Sequence, residues 1–166
     1  MIYVESPKEF NFDNKKDHVS FFLAGGITDC PDWQQEIRGL LKDEKVILVN
    51  PRRKHWDMSG GDEASRKQIT WEYNNLRAVD MILFWFPKET MCPIVLLELG
   101  SWLVKRETPI FVGVHPKYER KLDVETQTKL ARPNVEIVDS LEDLAEQVKK
   151  SHPLFGAFSF TTPGNK

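Results

Sequence analysis

The chain has 166 residues, of which 40% are hydrophobic and 29% are charged, and its formal net charge is −2. This length suits one globular domain, and the small net charge gives no electrostatic footprint for a nucleic-acid polymer or an anionic membrane. No apolar run reaches the roughly 20 residues that a membrane span needs, and no signal peptide is recognisable. The two cysteines have neither metal-ligand nor redox spacing, so we expect a cytoplasmic protein without a metal or cofactor.

Short apolar runs alternate with helical patterns along the chain. The runs predict five strands, at residues 19–24, 46–49, 81–86, 110–114 and 135–138, and the N-terminal segment IYVES is a candidate for an extra edge strand. Helices are predicted at residues 33–42, 65–79, 93–106 and 141–149. This alternation predicts an α/β fold, a flavodoxin-like or Rossmann-like three-layer sandwich whose five-stranded parallel sheet has the order 2-1-3-4-5.

Residues 1–150 are expected to form a single α/β domain. The tail, residues 151–166, has the sequence SHPLFGAFSFTTPGNK, which favours neither helix nor a charged surface. Its leucine and three phenylalanines need cover, so we expect the tail to pack on its own domain or on a neighbouring subunit.

One carboxylate lies in the most apolar helical segment, PIVLLELGSWLV, at residues 93–104. Glu98 is the only ionisable residue there, and burying it costs several kcal/mol unless it is paired or serves chemistry. Pro93 suits the first position of a helix, which would place Glu98 in the first or second turn. A functional role is therefore favoured over a solvated helix cap.

Ligands of open α/β sheets bind beyond the carboxyl ends of the strands. Glu98 and Glu72 are predicted at this edge, and Asp80 at the opposite edge in a structural role. The glycines Gly25 and Gly26 serve either a turn or a close approach to a ligand. Arg52 and Arg53 bind a phosphate or belong to a solvated loop. Two carboxylates in an aromatic-rich crevice suit chemistry at an acetal-like carbon, where one attacks and a proton donor assists the leaving group.

Several motifs together resemble the nucleoside 2-deoxyribosyltransferase family. They are Phe-Leu-Ala-Gly-Gly-Ile-Thr after the first strand, Asn-Pro-Arg-Arg after the second, Trp-Glu before the third, Asp-Met-Ile-Leu-Phe-Trp-Phe-Pro within it, and a final Glu-Leu-Gly. The resemblance spans most of residues 19–140 and is closest to the deoxyribosyltransferase-like branch. It implies nucleosides and nucleobases as ligands, and a homodimer or an assembly of dimers.

The resemblance implies a double displacement in which Glu98 attacks C1′ of a 2′-deoxynucleoside and holds the sugar until a second base accepts it. Glu72 falls on the acidic residue that helps to bind the base and move its proton. The substrate contacts that we expect are Gly25, Gly26, Ile27, Arg52, Phe86, Glu89, Cys92 and Asn134. Asn134 matches a residue that reaches the sugar from a neighbouring subunit in relatives.

The chain departs from the family pattern in two places. Cys92 stands six residues before Glu98, where relatives carry an aspartate for the 5′-hydroxyl, and Phe21 or Phe22 replaces a tyrosine that hydrogen-bonds the nucleophile. Three hypotheses therefore stay open. They are base exchange, hydrolysis of nucleosides or nucleoside 5′-monophosphates at the same site, and a non-catalytic nucleotide-binding or sensor domain.

Overall fold

A parallel sheet of six strands forms the centre of the protein, in a computed structural model that describes residues 1–53 and 61–155. Its spatial order is β1-β3-β2-β4-β5-β6, and every neighbouring pair is parallel. The strands are β1 (Ile2–Glu5), β2 (Val19–Gly25), β3 (Val46–Asn50), β4 (Met81–Phe86), β5 (Ile110–Val114) and β6 (Ile137–Val138).

Five α-helices connect or follow these strands in the described part of the chain. They are α1 (Trp33–Leu40), α2 (Gly61–Ala78), α3 (Pro93–Leu103), α4 (Lys121–Ala131) and α5 (Leu141–Phe155), and a short 3-10 helix covers Phe12–Asn14. No helix among the described residues is long and apolar enough to cross a bilayer.

The three layers follow from the alternation of side chains along the buried strands. β3 and β4 are buried along their whole length, as expected of strands covered on both faces. One face packs against buried residues of α2, α3 and α4, and the other packs against those of α1 and α5. The sequence prediction of an α/β three-layer fold with a parallel sheet is thus confirmed.

The predicted five-stranded sheet with the order 2-1-3-4-5 is corrected to six strands with the order 1-3-2-4-5-6. The sixth strand is β1, which pairs along its four residues with β3 from Ile2 beside Ile47 to Glu5 beside Asn50. The sequence indicated this segment only as a candidate edge strand. A strand at the edge of a sheet is less enclosed and needs fewer apolar residues, so its pattern is harder to recognise. With β1 included, each of the five predicted strands moves up by one number, and β1 lies next to β3, the strand that was predicted as the second.

Helix α4 was not predicted, although a crossover between parallel β5 and β6 requires a long connection. Other bounds also shift: α2 begins at Gly61 instead of residue 65, and α3 ends at Leu103. Helix α5 continues through Phe155, into the tail that was expected to be non-helical, because packing of its buried residues Leu144, Ala145 and Val148 on the sheet outweighs the weak local signal. The rest of the tail, residues 156–166, and residues 54–60, which come between β3 and α2 in the chain, lie outside the described residues.

The amino edge of the sheet is held by Asp80, as expected of a structural residue. Its carboxylate accepts hydrogen bonds from the Ser20 backbone N–H at 2.9 Å and from the Ser20 hydroxyl at 2.8 Å, and it pairs with Lys15. Because these contacts join the starts of β2 and β4, Asp80 lies at the edge opposite the strand ends that carry the candidate site.

Candidate functional site

The candidate site lies at the carboxyl ends of the central strands. In the sheet, β2 lies between β3 and β4. The connection that follows β2 leads to β3 on one side, whereas the connection that follows β4 leads to β5 on the other side. Ligands of such sheets bind in the crevice where these two connections diverge. Helix α3 begins directly after the β4 loop, and Glu98 lies in its second turn. Glu72 is in the middle of α2 and not near its start, because α2 begins eleven residues before it, at Gly61.

Glu72 and Glu98 form a carboxyl pair. Both are partly buried, and the charge of Glu72 is the second cause of the raised pKa of Glu98. Burial is the first cause, and the two effects together raise the pKa of Glu98 to about 8. Among the described residues, no donor hydrogen-bonds to Glu98, so nothing offsets the cost of ionising it.

Glu72 is in a different electrostatic environment. Burial raises its pKa, but a hydrogen bond from Gln68 and the positive charge of Arg53 act in the opposite direction. Gln68 Nε2 donates to Glu72 Oε1 at 2.6 Å. Only Glu72 thus has contacts that oppose the effect of burial on its pKa, so the contacts favour Glu98 as the proton-bearing member of the pair.

A chain of hydrogen bonds links Glu72 to Arg53 through Gln68 and Ser6. Arg53 Nε donates to Ser6 Oγ at 3.3 Å, and Ser6 Oγ donates to Gln68 Oε1 at 2.6 Å. Gln68 Nε2 also donates to the Pro51 carbonyl at 3.0 Å. Sequence analysis did not single out Ser6 or Gln68, because they are 62 positions apart and belong to no motif.

Several aromatic side chains pack on the face of the sheet that α2 and α3 cover. The Trp71 ring, next to Glu72, packs 6.4 Å from the Phe22 ring, and its Nε1 donates to the Lys8 carbonyl at 3.0 Å. Phe86 at the end of β4 is fully buried and packs 5.3 Å from the Tyr118 ring. Phe86 therefore supports the floor of the crevice and does not line open space.

Tyr118 is a site-supporting residue that sequence analysis missed. Its hydroxyl donates to the Met91 carbonyl at 2.7 Å, which holds the loop that leads into α3. Burial raises the pKa of Tyr118 to about 12, so the hydroxyl stays a donor throughout the physiological range. A tyrosine four residues after a buried strand was the available signal for a side chain at this edge.

Gly25 and Gly26 are required by close packing. A Cβ on Gly25 would lie 2.4 Å from the Trp33 ring and 2.6 Å from the Trp85 carbonyl. A Cβ on Gly26 would lie 2.8 Å from the Pro87 ring. The Gly26 carbonyl already accepts from Trp33 Nε1 at 2.9 Å. These contacts favour the structural interpretation of both glycines, and Ile27 follows them as a partly buried residue of the same loop.

Arg52 braces the loop between β2 and α1. Its guanidinium donates to the Cys30 carbonyl at 3.3 Å and to the Pro31 carbonyl at 3.1 Å, and lies 3.7 Å from the Asp32 carboxylate. All of the guanidinium's hydrogen bonds among the described residues come from Nη2, and Nε is buried without a hydrogen-bond partner there, so the bracing role of Arg52 leaves the phosphate interpretation open.

The loop before α3 contains Cys92 and Glu89. Cys92 is buried, and it adopts a left-handed backbone with φ of 51° directly before Pro93. Burial raises the pKa of its thiol to about 12, which favours the neutral thiol over the thiolate that a nucleophile requires. Glu89 is exposed and pairs with Lys88 at 3.8 Å.

Asn134 is the predicted site residue that the fold does not bring near Glu98 within one chain. It is exposed and precedes β6, which places it at the amino edge of the sheet. It lines a cavity of about 870 Å³ between the β5–β6 edge and α5, whose lining residues include neither carboxylate of the pair. A second cavity of about 360 Å³ lies beside Arg53 and Trp71 on the outer side of α2.

In the described part of the chain, no three His, Cys, Asp or Glu side chains are grouped as metal ligands. The carboxyl pair can provide one group as a nucleophile and a second as a proton carrier.

Comparison with known proteins gives one family. No curated protein matches the chain at a significant level. Residues 18–118 match the family described as "Nucleoside 2-deoxyribosyltransferase like". The matched range covers more than half of the chain and includes Glu72, Cys92 and Glu98. The protein therefore belongs to the nucleoside 2-deoxyribosyltransferase-like family.

Proposed function

We propose that the protein is an enzyme that exchanges the base of 2′-deoxynucleosides through a covalent deoxyribosyl ester of Glu98. The observation that supports this most directly is the carboxyl pair of Glu98 and Glu72 at the ligand edge of the sheet, in a chain of this family. A pair of carboxyl groups with one proton between them can supply both the nucleophile and the acid that the reaction needs.

The reaction requires the proton to change places. In the free protein Glu98 holds the proton, because burial and Glu72 raise its pKa to about 8. Burial also raises the pKa of Glu72, but Gln68 and Arg53 oppose that rise. We propose that substrate binding moves this proton from Glu98 to Glu72. Glu98 then has the charge of a nucleophile, and Glu72 has the proton of a general acid.

Two displacements follow. In the first, a Glu98 carboxylate oxygen forms a bond to C1′ while the N-glycosidic bond breaks, and its electron pair leaves with the base, which takes the proton from Glu72. In the second, an incoming base gives its proton to Glu72, its nitrogen bonds to C1′, and the ester bond to Glu98 breaks. Atoms and charges balance without a further reactant.

The substrate contacts remain proposals of unequal support. Ile27, Glu89 and Cys92 lie in loops at the ligand edge, where a nucleoside would bind. Gly25, Gly26, Phe86 and Arg52 have packing or bracing contacts of their own, so their proposed part is to shape the crevice. Asn134 would need a second subunit to reach Glu98.

The test is incubation with deoxyinosine or thymidine, with and without a free acceptor base, followed by chromatography. We expect a new nucleoside from the wild type and at least a thousandfold lower rate from Glu98→Gln, about the loss expected when a covalent nucleophile is removed. Glu142→Gln, at an exposed position on α5, is the matched control.

The other outcomes distinguish the alternatives. Free base without an acceptor would indicate a hydrolase, and the same assay with nucleoside 5′-monophosphates tests nucleotide substrates. Unchanged substrate in every arm would favour the non-catalytic binding domain. Full activity of Glu98→Gln would contradict the covalent mechanism.

We also propose self-association through the outer face of α3. Ile94 and Leu97, on the helix that carries Glu98, and Val104, its C-cap residue, are 61%, 69% and 77% exposed. Such an apolar stripe is typical of an interface. We expect Leu97→Glu to lower the molar mass measured by light scattering, whereas Leu130→Glu, at an equally exposed site on α4, should not. A monomeric wild type at high micromolar concentration would contradict the proposal.

A further inference from the structure

Glu72 has two carboxylate oxygens, and the described residues bond to them unequally. Oε1 accepts a hydrogen bond from Gln68 Nε2 at 2.6 Å, one helical turn earlier on α2. Among the described residues, no hydrogen bond reaches Oε2. The two oxygens are therefore not equivalent in the protein.

The orientation of the Gln68 amide is fixed by its other partners. The Pro51 carbonyl, 3.0 Å from Nε2, can only accept, so the amide nitrogen must be the atom that faces it. The Ser6 hydroxyl donates to Oε1 of Gln68 at 2.6 Å. A flipped amide would place its oxygen against the Pro51 carbonyl and against the Glu72 carboxylate, and would lose both of those bonds. Gln68 is 5% exposed, so water cannot replace them.

We propose that Gln68 is the positioning residue of Glu72: by occupying Oε1 with an N–H donor, it restricts proton exchange with Glu98 and with the substrate base to Oε2. This inference rests on the proposed function. A carboxyl oxygen that already accepts an N–H cannot present a proton in the same direction, so the acidic proton of Glu72 is attached to Oε2.

Ser6 and Arg53 extend the same chain of hydrogen bonds. Arg53 donates to Ser6, Ser6 to Gln68 and Gln68 to Glu72, so each bond polarises the next towards a negative Glu72. The charged groups of neighbouring elements that interact with Glu72 are Arg53, after β3, which lowers the pKa of Glu72, and Glu98, on α3, whose pKa Glu72 raises. Arg53 favours the ionised form of Glu72, and an ionised Glu98 opposes it.

The test uses NMR on the full chain and needs no turnover. Glutamate Cδ signals and the Gln68 side-chain NH₂ signals are followed against pH, with Gln68→Met and Glu72→Gln as assignment variants. We expect the Gln68 NH₂ shift to follow the midpoint of Glu72 and to keep two distinct proton signals on both sides of it. Gln68→Met should move the Glu72 midpoint to higher pH, whereas Gln127→Met, at an exposed position on α4, should leave it unchanged.

A Gln68 NH₂ signal that does not change while Glu72 titrates would overturn the proposal. Ser6→Ala is the second variant, for use if Gln68→Met does not fold, and it should shift the Gln68 NH₂ signals and the Glu72 midpoint in the same direction. In the assay, Gln68→Met should lower kcat at least about tenfold, the effect of losing a hydrogen bond to a charged group. Failure of the proposed function would be recognised separately, as an absence of turnover in the wild type.

Discussion

At the scale of single residues, the site is defined by a difference between two glutamates. Burial acts on both, but only Glu72 receives a hydrogen bond and a nearby positive charge. Glu98 has neither among the described residues, and the neighbouring Glu72 further raises its pKa to about 8. The pair therefore holds one proton between the two pKa values, and the position of that proton decides which group can act as nucleophile.

This difference predicts the pH dependence of the reaction. A plot of the wild-type rate against pH should be bell-shaped, because the reactive pair needs one proton. The rate should fall on the alkaline side near the Glu98 pKa of about 8. In Glu72→Gln the amide cannot carry that proton. The slower variant should then gain rate with rising pH as Glu98 ionises, and its profile of kcat/KM should have no alkaline fall.

An alkaline fall that persists in Glu72→Gln would contradict the shared-proton mechanism. A Glu72→Gln profile identical in shape to the wild type would do the same.

The raised pKa of Glu98 also predicts a cost in stability. The folded protein binds the Glu98 proton more tightly than the unfolded chain, so the free energy of unfolding falls as pH rises from the unfolded value near 4.5 through about 8. Glu98→Gln removes this cost and should be more stable than the wild type at pH 9 by about 2–4 kcal/mol. Urea unfolding at pH 5 and pH 9 measures it, and an equal difference at both pH values would refute the prediction.

At the scale of elements, loops at the strand ends are held by side chains that sequence analysis had considered for ligand binding. Arg52 follows β3 but bonds to carbonyls of the loop between β2 and α1. Gly25 ends β2 against the Trp33 ring of α1. These contacts fix the carboxyl ends of β2 and β3 to α1 and to the loop before it, so this side of the crevice is rigid.

Because Arg52 holds the loop between β2 and α1, Arg52→Met should lower the free energy of unfolding. Two backbone carbonyls of the loop would lose a charged donor, so we expect a loss of about 1–3 kcal/mol in the free energy of unfolding, measured with urea. Arg66→Met, at an exposed position on α2, is the matched control. Unchanged stability with a loss of phosphate binding would instead support the phosphate-site interpretation.

Helix α4 shows where sequence patterns fail at this scale. Its leucines Leu122 and Leu130 are 76% and 75% exposed, whereas its buried positions include Val124 and Thr128. The apolar residues therefore do not follow the buried face, and the periodic signal is lost. Helix α3 was predictable for the opposite reason, because an apolar run after a proline needs no periodicity to be recognised.

At the scale of the whole molecule, the parallel sheet explains why the sequence was informative about the site. Strand ends and helix starts can be located from apolar runs and prolines, and a parallel topology brings them to one edge. Glu98 was predictable in this way. The Ser6–Gln68 contact was not, because it depends on β1 pairing beside β3, which no local pattern specifies.

The position of β1 has a further consequence for heat inactivation. β1 has one neighbouring strand, and edge strands of this kind open locally at lower free energy than the centre of a sheet. Ser6 directly follows β1, and its backbone N–H donates to the Asn50 carbonyl at 3.0 Å. Opening of this margin would release Ser6 from Gln68 and leave Glu72 without its orientation. On warming, the proposed activity should therefore decline before the central strands exchange their amide hydrogens, so that the protein would lose it by fraying at its margin while its core is still folded.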